Sequence, residues 1–420
     1  MSQLGYMEKL LDGVEVEWRT LGDISIVYGG LTGKSKNDFE DGNASYIPYK
    51  NIFSNIAVNL DNLELVKISD MENQRAVKYG DVLFTGSSEK LDEAGMSSVV
   101  TQELEEAIYL NSFSFGVRFN SNIKINPHFS KYLFRSHFMR KEIIKTASGV
   151  TRFNISKVRF KKLKIPIPPL NVQAEIVRIL DTFTELTAEL TAELTAREQQ
   201  YAYYREQLLT FEEGEVQHLP MGTKGVGEFV RGKGLQKKDF TNAGIGCIHY
   251  GQIYTQYNTY AYKTQSFVSS EFAEKVRKAQ QGNLIIATTS ENDEDLCKAV
   301  AWLGSEEIAI SNDACIYKHT LDPKFVSYFF QTEQFQEQKR QYITGTKVRR
   351  VNADNLAKIK IPVPSMLEQQ RIVSILDKFD ALTTSLTEGL PREIELRQQQ
   401  YEYYRDLLLS FPKPEVVAHD

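Results

Sequence analysis

The chain is 420 residues long, 41% hydrophobic, 25% charged and 11% aromatic, with a formal charge of -5. At roughly 150 residues per domain this predicts two to three domains, and the composition excludes wholesale disorder. Cys247, Cys297 and Cys315 lack C-x-x-C spacing and the six histidines form no H-x-H or H-E-x-x-H cluster, so neither a disulfide framework nor a metal site is expected. No run of about 18 apolar residues occurs and the first residues are acidic, so a cytoplasmic location is expected.

In chain order, residues 1–19 form an N-terminal segment and a first globular domain is predicted over 20–165. Its Gly-rich, basic loop contains Gly33-Lys34-Ser35. A phosphate loop needs a glycine five positions before the Gly-Lys pair, and Tyr28 stands there. Such a loop can instead bring backbone and short side chains close to DNA, which makes Thr32, Lys34, Ser35, Lys36 and Asn37 candidate contacts. Asp81 to Phe84 reads as a buried strand running into a polar loop, where Ser87, Ser88 and Glu89 are of types that reach base edges. Asn126-Pro127-His128-Phe129 is one residue from the Asn-Pro-Pro-Phe/Tyr motif of amino-methyltransferases. An N-cap followed by proline at the first helical position explains it equally well, and no Gly-rich cofactor fingerprint precedes it. Between Lys124 and Lys164, twelve Lys/Arg stand against one acid, Glu142, so the acidic net charge hides a strongly basic block. Within it Arg152 and Arg159 are candidate phosphate clamps.

Segment 166–214 reads differently. After Pro166 to Pro169 no Gly or Pro occurs until Gly214, and apolar residues recur at steps of mostly three and four from Ile176 to Phe211. This predicts a helix of about 41 residues, or about 60 Å, with an apolar seam for one partner helix. Leu186-Thr187-Ala188-Glu189 repeats at Leu190 and, as far as Ala196, at Leu194.

The chain then repeats itself. Lys164-Ile165-Pro166-Ile167-Pro168 matches Lys360-Ile361-Pro362-Val363-Pro364, and the same offset aligns Gln173, Ile179-Leu180-Asp181 and Phe183 with Gln369, Ile375-Leu376-Asp377 and Phe379. Tyr201-Ala202-Tyr203-Tyr204-Arg205 matches Tyr401-Glu402-Tyr403-Tyr404-Arg405, and Glu15-Val16, Glu215-Val216 and Glu415-Val416 make the repeat cyclic. The second domain, 215–361, again has a Gly-rich basic loop with Arg231, Lys233, Lys237 and Lys238. It again has a strand running into a polar loop with Thr288, Thr289 and Ser290, and basic residues Lys347, Arg349 and Arg350 before the boundary. Asp322-Pro323-Lys324-Phe325 is the second N-cap pattern. Asp322 with Glu337-Gln338-Lys339 loosely fits a metal nuclease, but the first half has no equivalent and a charged helix face accounts for it. The C-terminal segment, 362–420, carries the second seam, which Pro391 should kink or split.

These residues carry a resemblance. The Ile-Pro-x-Pro boundary, the Gln-x-x-Ile-Val-x-Ile-Leu-Asp-x-Phe run, the Thr-Ala-Glu-Leu tetrads and the Tyr-x-Tyr-Tyr-Arg motif resemble the DNA-specificity subunit of type I restriction-modification enzymes, the tetrads its IC branch. The resemblance implies an α+β fold: two target recognition domains with twisted mixed sheets, separated by two long antiparallel coiled-coil helices in a pseudo-twofold repeat. It implies that each domain reads one half of a bipartite, asymmetric site in double-stranded DNA, while the helices set the spacer and dock two methyltransferase subunits, on which endonuclease/translocase subunits assemble. Such a subunit is not itself an enzyme and binds no cofactor; S-adenosylmethionine, ATP and Mg are expected on the partners. Two other classes stay open, a duplicated coiled-coil protein-binding scaffold without DNA recognition and a self-sufficient methyltransferase.

Overall fold

A computed structural model describes residues 9–69, 71–385 and 388–412. The backbone divides into two compact units, one running up to Ala188 and resuming at Glu395, the other spanning Glu189–Ile394. The helices used below are α1 (Pro127–Leu133), α2 (His137–Ile144), α3 (Leu170–Leu209), α4 (Pro323–Phe329), α5 (Glu333–Arg340), α6 (Met366–Thr384) and α7 (Gly389–Leu408).

In the first unit an antiparallel sheet has the order Ser25–Gly29, Ser114–Phe119, Val82–Thr85, Ser97–Val99. Its central strand Val82–Thr85 is buried throughout. Val82 and Phe84 face a core with Phe129, Tyr132 and Phe160, while Leu83 faces another with Tyr28, Ile47 and Leu110, as the two-residue period of a strand demands. The second unit repeats this: Gly227–Arg231, Ala314–His319, Leu284–Ala287, Ala299–Trp302, with Tyr260–Ala261 added in parallel at the edge. Leu284 and Ile286 face Phe325 and Phe329, and Ile285 faces Ile248 and Ile253. A smaller sheet in each unit contains one parallel pair, Ala44–Ile47 with Ile108–Leu110 and Ile245–Ile248 with Ile308–Ile310. The cyclic repeat is physical: strand Glu17–Thr20 pairs with Lys164–Ile167, and Gln217–Pro220 pairs with Lys360–Val363. Glu415-Val416 lies outside the described residues.

The repeated motifs are where helices meet domains. Gln173 is fully buried; its Oε1 accepts the Asn126 N–H at 2.7 Å, and its Nε2 donates to Lys124 O and Pro168 O. Gln369 does the same for Asp322 N–H and Pro364 O. About two helical turns on, Asp181 accepts from Tyr132 and Lys131, and Asp377 accepts from Tyr328 and Lys324. Asn126 and Asp322 are N-caps, accepting from His128 N–H and from Lys324 and Phe325 N–H, with proline at the first helical position.

The other long helix of each unit closes the arrangement. In the first unit Phe411 packs on Phe129 beside the Asn126–Gln173 bond, while Tyr401 approaches Tyr132, which bonds Asp181. α3 therefore rises as α7 descends, an antiparallel pair. Phe183 stacks on Tyr404 at 5.2 Å, and in the second unit Phe379 stacks on Tyr201 and Tyr204. The phenylalanine ending one repeated motif thus packs on the tyrosines of the other. Asp406 accepts the His137 N–H at the start of α2, and Glu206 accepts the Glu333 N–H at the start of α5.

α3 matches the expected single long helix. The second is divided: α6 ends at Thr384, α7 begins at Gly389, and Pro391 sits in the first turn of α7, where its missing N–H has no intrahelical partner to lose. Gly389 has φ +78°, and a Cβ there would lie 2.5 Å from Ala381 O. Leu386, expected in the seam, lies outside the described residues. The three cysteines are free and buried, and burial pushes each thiol up to about 12. Among the described residues no helix is long and apolar enough to cross a membrane, and no three His, Cys, Asp or Glu are grouped to hold a metal.

Gln173→Ala orphans one amide and two carbonyls in a buried place. It should lower the stability of the first unit by about 2–4 kcal/mol in denaturant unfolding of the full chain and speed exchange of the Asn126 amide. Glu175→Ala, which removes an exposed pair with Arg178, should change both far less.

Candidate nucleic-acid interface

The two stretches singled out in each domain, the polar loop after the central strand and the basic residues before the boundary, are brought together as one small sheet. In the first unit Ala147–Ser148 and Phe153–Ile155 form a hairpin whose second strand pairs with Ser87–Ser88, Phe153 opposite Ser88 and Asn154 opposite Ser87. In the second unit Thr289 lies opposite Arg350 and Ser290 opposite Arg349, and Thr344 bridges back to Arg350. The register makes Phe153 the counterpart of Arg349, Asn154 of Arg350 and Arg152 of Val348. Both hairpins turn at a glycine: Gly149 has φ +141° and Gly345 φ +90°, and a Cβ would lie 1.9 Å from Arg152 O or 2.1 Å from Val348 O.

The sheet holds its loops in place. Ser87, Ser88, Thr289 and Ser290 are buried, so their main contribution is to fix neighbours. Ser87 Oγ accepts from Arg152 Nε at 3.1 Å, and Ser87 O accepts from the Tyr49 hydroxyl at 2.8 Å. The corresponding carbonyl, Thr289 O, accepts from the Tyr254 hydroxyl at 2.8 Å, and burial pushes that phenol up. Thr288 is half-buried and Glu89 exposed. Arg152 lies over the Phe113 ring, whereas the corresponding Asp313 accepts from Thr289 Oγ1. Arg349 pairs with Asp293 at 2.9 Å and donates to Gly345 O, while Lys347 and Arg350 are exposed at the second hairpin. Arg159 is exposed behind the first hairpin and donates to Ala147 O.

The Gly-rich loops also correspond. Ser35 and Gln236 each begin a short 3-10 turn closed by Asp38 or Asp239, and the Ser35 hydroxyl and amide hold the Asp38 carboxyl below the ordinary range. Lys36, Asn37, Lys237 and Lys238 are exposed on these turns, as are Thr32, Ser35, Arg231 and Lys233 around them. Lys34 differs from the expected solvent-facing cation. Its side chain is 3% exposed and bonded to Glu72 and Lys67 O.

The basic block is also less exposed than its count suggests. Arg135 donates to the backbone carbonyls of Ile52, Phe53, Asn55 and Ser97, and Arg140 to those of Asp92, Ala94 and Gly95. Burial pulls both guanidiniums down to about 10, so they remain cations serving the interior. With Lys131 on Asp181, nine of the twelve basic residues stay exposed. In the second domain Lys324 is spent on Asp377, and Lys339 is buried on the carbonyls of Asp293 and Leu296. That use of Lys339 also removes it from the nuclease pattern.

Sequence reasoning missed Tyr49, Phe53 and Phe113, which with Ser87, Ser88, Glu89, Glu93 and Arg152 line a cleft of about 410 Å³. Tyr49 was legible as the partner of Tyr250 in the internal match. Phe113 carries no signal beyond being an aromatic in a loop, yet it is 63% exposed.

Comparison with known proteins agrees with this duplication. The family described as the type I restriction modification DNA specificity domain matches twice, over residues 13–197 and 221–396. The chain is 34% identical over 435 aligned positions, covering all of both chains, to the type I restriction enzyme EcoR124I/EcoR124II specificity subunit of Escherichia coli. It is 30% identical to a putative type I restriction enzyme specificity subunit of Haemophilus influenzae, over 97% of this chain and 98% of the relative. Its fold resembles a chain solved in work on assembly and conformational transition of the type I R-M system, with TM-score 0.66 and 14% identity over 95% of this chain and 99% of that one.

Gly149→Ala should unseat the first hairpin. Hydrogen exchange should show protection lost at Phe153–Ile155, equivalent to about 1–3 kcal/mol of local stability, with α1 and α3 unchanged.

Proposed function

Since the chain belongs to the type I restriction modification DNA specificity family, we propose that it is the sequence-reading subunit of such an enzyme. The observation that carries this reading is the small sheet found once in each unit: one backbone frame, two sets of exposed side chains. Two dissimilar readers on one chain suit an asymmetric, split DNA site, much as two equal readers suit a palindrome. Glu89, Arg152 and Arg159 in one unit, and Lys347, Arg349 and Arg350 in the other, are the nearest candidates for DNA contact. The turns carrying Thr32, Ser35, Lys36, Asn37, Arg231, Lys233, Lys237 and Lys238 supply further donors to phosphates.

In this reading the chain contributes no catalytic group. Two methyltransferase subunits dock on it and bring S-adenosylmethionine, and endonuclease/translocase subunits join through them with ATP and Mg. Tyr203 and Tyr403, exposed on α3 and α7, suit that docking. A mobility-shift assay with the methyltransferase partner present tests the whole reading; a complex that forms but retains no duplex would leave a protein-binding scaffold.

The tetrads give the long helices a unit of length. Four residues add about 6 Å and about 40° beyond a full turn, which a coiled coil absorbs as a stutter. Inserting one Thr-Ala-Glu-Leu unit after Leu194 should lengthen the unread gap in the methylated site and leave both half-site sequences as they were, read by methylation mapping. Lys347→Ala should weaken binding to every duplex alike and reduce the salt slope by about one, read from affinities across a salt series.

A further inference from the structure

We propose that Arg152 and Glu89 of the first unit read the two edges of a single G·C base pair. The inference rests on the chain being a DNA-reading subunit and names what one of its clefts takes.

Arg152 is placed differently from the other well-held arginines of its unit. Arg118, Arg135 and Arg140 commit terminal nitrogens to Asp81 or to backbone carbonyls. Arg152 instead spends Nε on Ser87 Oγ and lays its guanidinium over Phe113, 5.8 Å from the ring centroid. Ser87 is itself fixed by strand pairing and by Tyr49 on its carbonyl. The guanidinium is thus held from behind, and among the described residues no carboxylate or carbonyl takes its two terminal nitrogens. That end presents a planar pair of donors, the arrangement that matches guanine O6 and N7.

The same side chain could grip a phosphate, and Glu89 decides against that. Glu89 lines the same cleft, is exposed, and has no hydrogen-bonded or ionic partner among the described residues. A carboxylate beside the arginine repels a phosphate but accepts from an exocyclic amine. In the major groove guanine offers two acceptors and its paired cytosine offers the N4 donor. A cleft with an aimed guanidinium and a free carboxylate complements that pair on both strands. In the second unit the counterparts of Arg152 and Phe113 are Val348 and Asp313, so Glu291 there stands without an aimed arginine and the same demand does not arise.

The test uses the complex with its methyltransferase subunits and a set of duplexes in which each base pair of the methylated site is replaced in turn. Expected for the wild type is one G·C pair, in one half-site, whose replacement lowers affinity about ten- to hundredfold. Arg152→Ala should shrink that loss to about twofold or less while the losses elsewhere in both half-sites persist, and Glu89→Ala should relax the same pair. If Arg152→Ala binds no duplex, Arg152→Lys, which keeps the charge without the fork, carries the comparison and should show a reduced loss at that pair alone. The proposal is overturned if these variants keep the wild-type profile, relax different pairs, or weaken all duplexes equally with a shallower salt slope. A wild-type complex that binds DNA with no sequence preference would overturn the functional reading itself, a result distinct from an unchanged profile in the variants.

Discussion

Each globular domain is tied to two long helices at once, and the rest of the structure depends on that double attachment. The following helix starts under Gln173 or Gln369, whose amide satisfies an N-cap residue's N–H and the carbonyl just before that helix. The other helix ends on the same domain through Asp406 or Glu206, which takes an amide at the first turn of α2 or α5. The Gln173 and Gln369 contacts are buried or half-buried, so their loss strands donors and acceptors away from water, while the Asp406 and Glu206 contacts are exposed. Phe183 on Tyr404 and Phe379 on Tyr204 then lock one helix to the other within each unit. The two repeated motifs are the two faces of one joint.

With the joint fixed, the domains are free to differ where they face outward, and the differences are compensated locally. The carbonyl that precedes the polar loop receives a tyrosine hydroxyl in both units, from Tyr49 in one and, a helical turn later, from Tyr254 in the other. The loop's own carbonyls are held by Arg140 in one unit and by Lys339 in the other. Gly95, at φ +65°, leaves no room for a Cβ beneath Ile143; its counterpart Cys297 holds φ +69° where Lys339 replaces that isoleucine. Geometry is kept and chemistry exchanged between the two copies.

The duplication and the single long helix were legible because they rest on local signals: an offset of 196 residues, a proline-rich stop and a period near 3.6. The candidate site was legible in its parts and not in its assembly. Ser87 and Asn154 pair across 67 residues, and nothing in either segment names the other. The inward turn of Lys34 was equally invisible, because its stem and charge read as a loop cation until Glu72 and the carbonyl of Lys67 close over it.

Charge shows why bulk numbers mislead for a protein of this build. The total of -5 argues against phosphate binding, while twelve bases against one acid in a single block argue strongly for it. Neither count is the quantity a duplex responds to. Arg135, Arg140 and Lys339 lie under loops as cations bound to backbone carbonyls, so part of the basic excess serves folding. At physiological ionic strength the field of an exposed charge is screened within about 8 Å, so acids farther away on the long helices cannot cancel cations at a hairpin tip. What remains exposed is the local set of cations on each hairpin and 3-10 turn. There a local carboxylate such as Glu89 weighs more than the distant acids of the long helices.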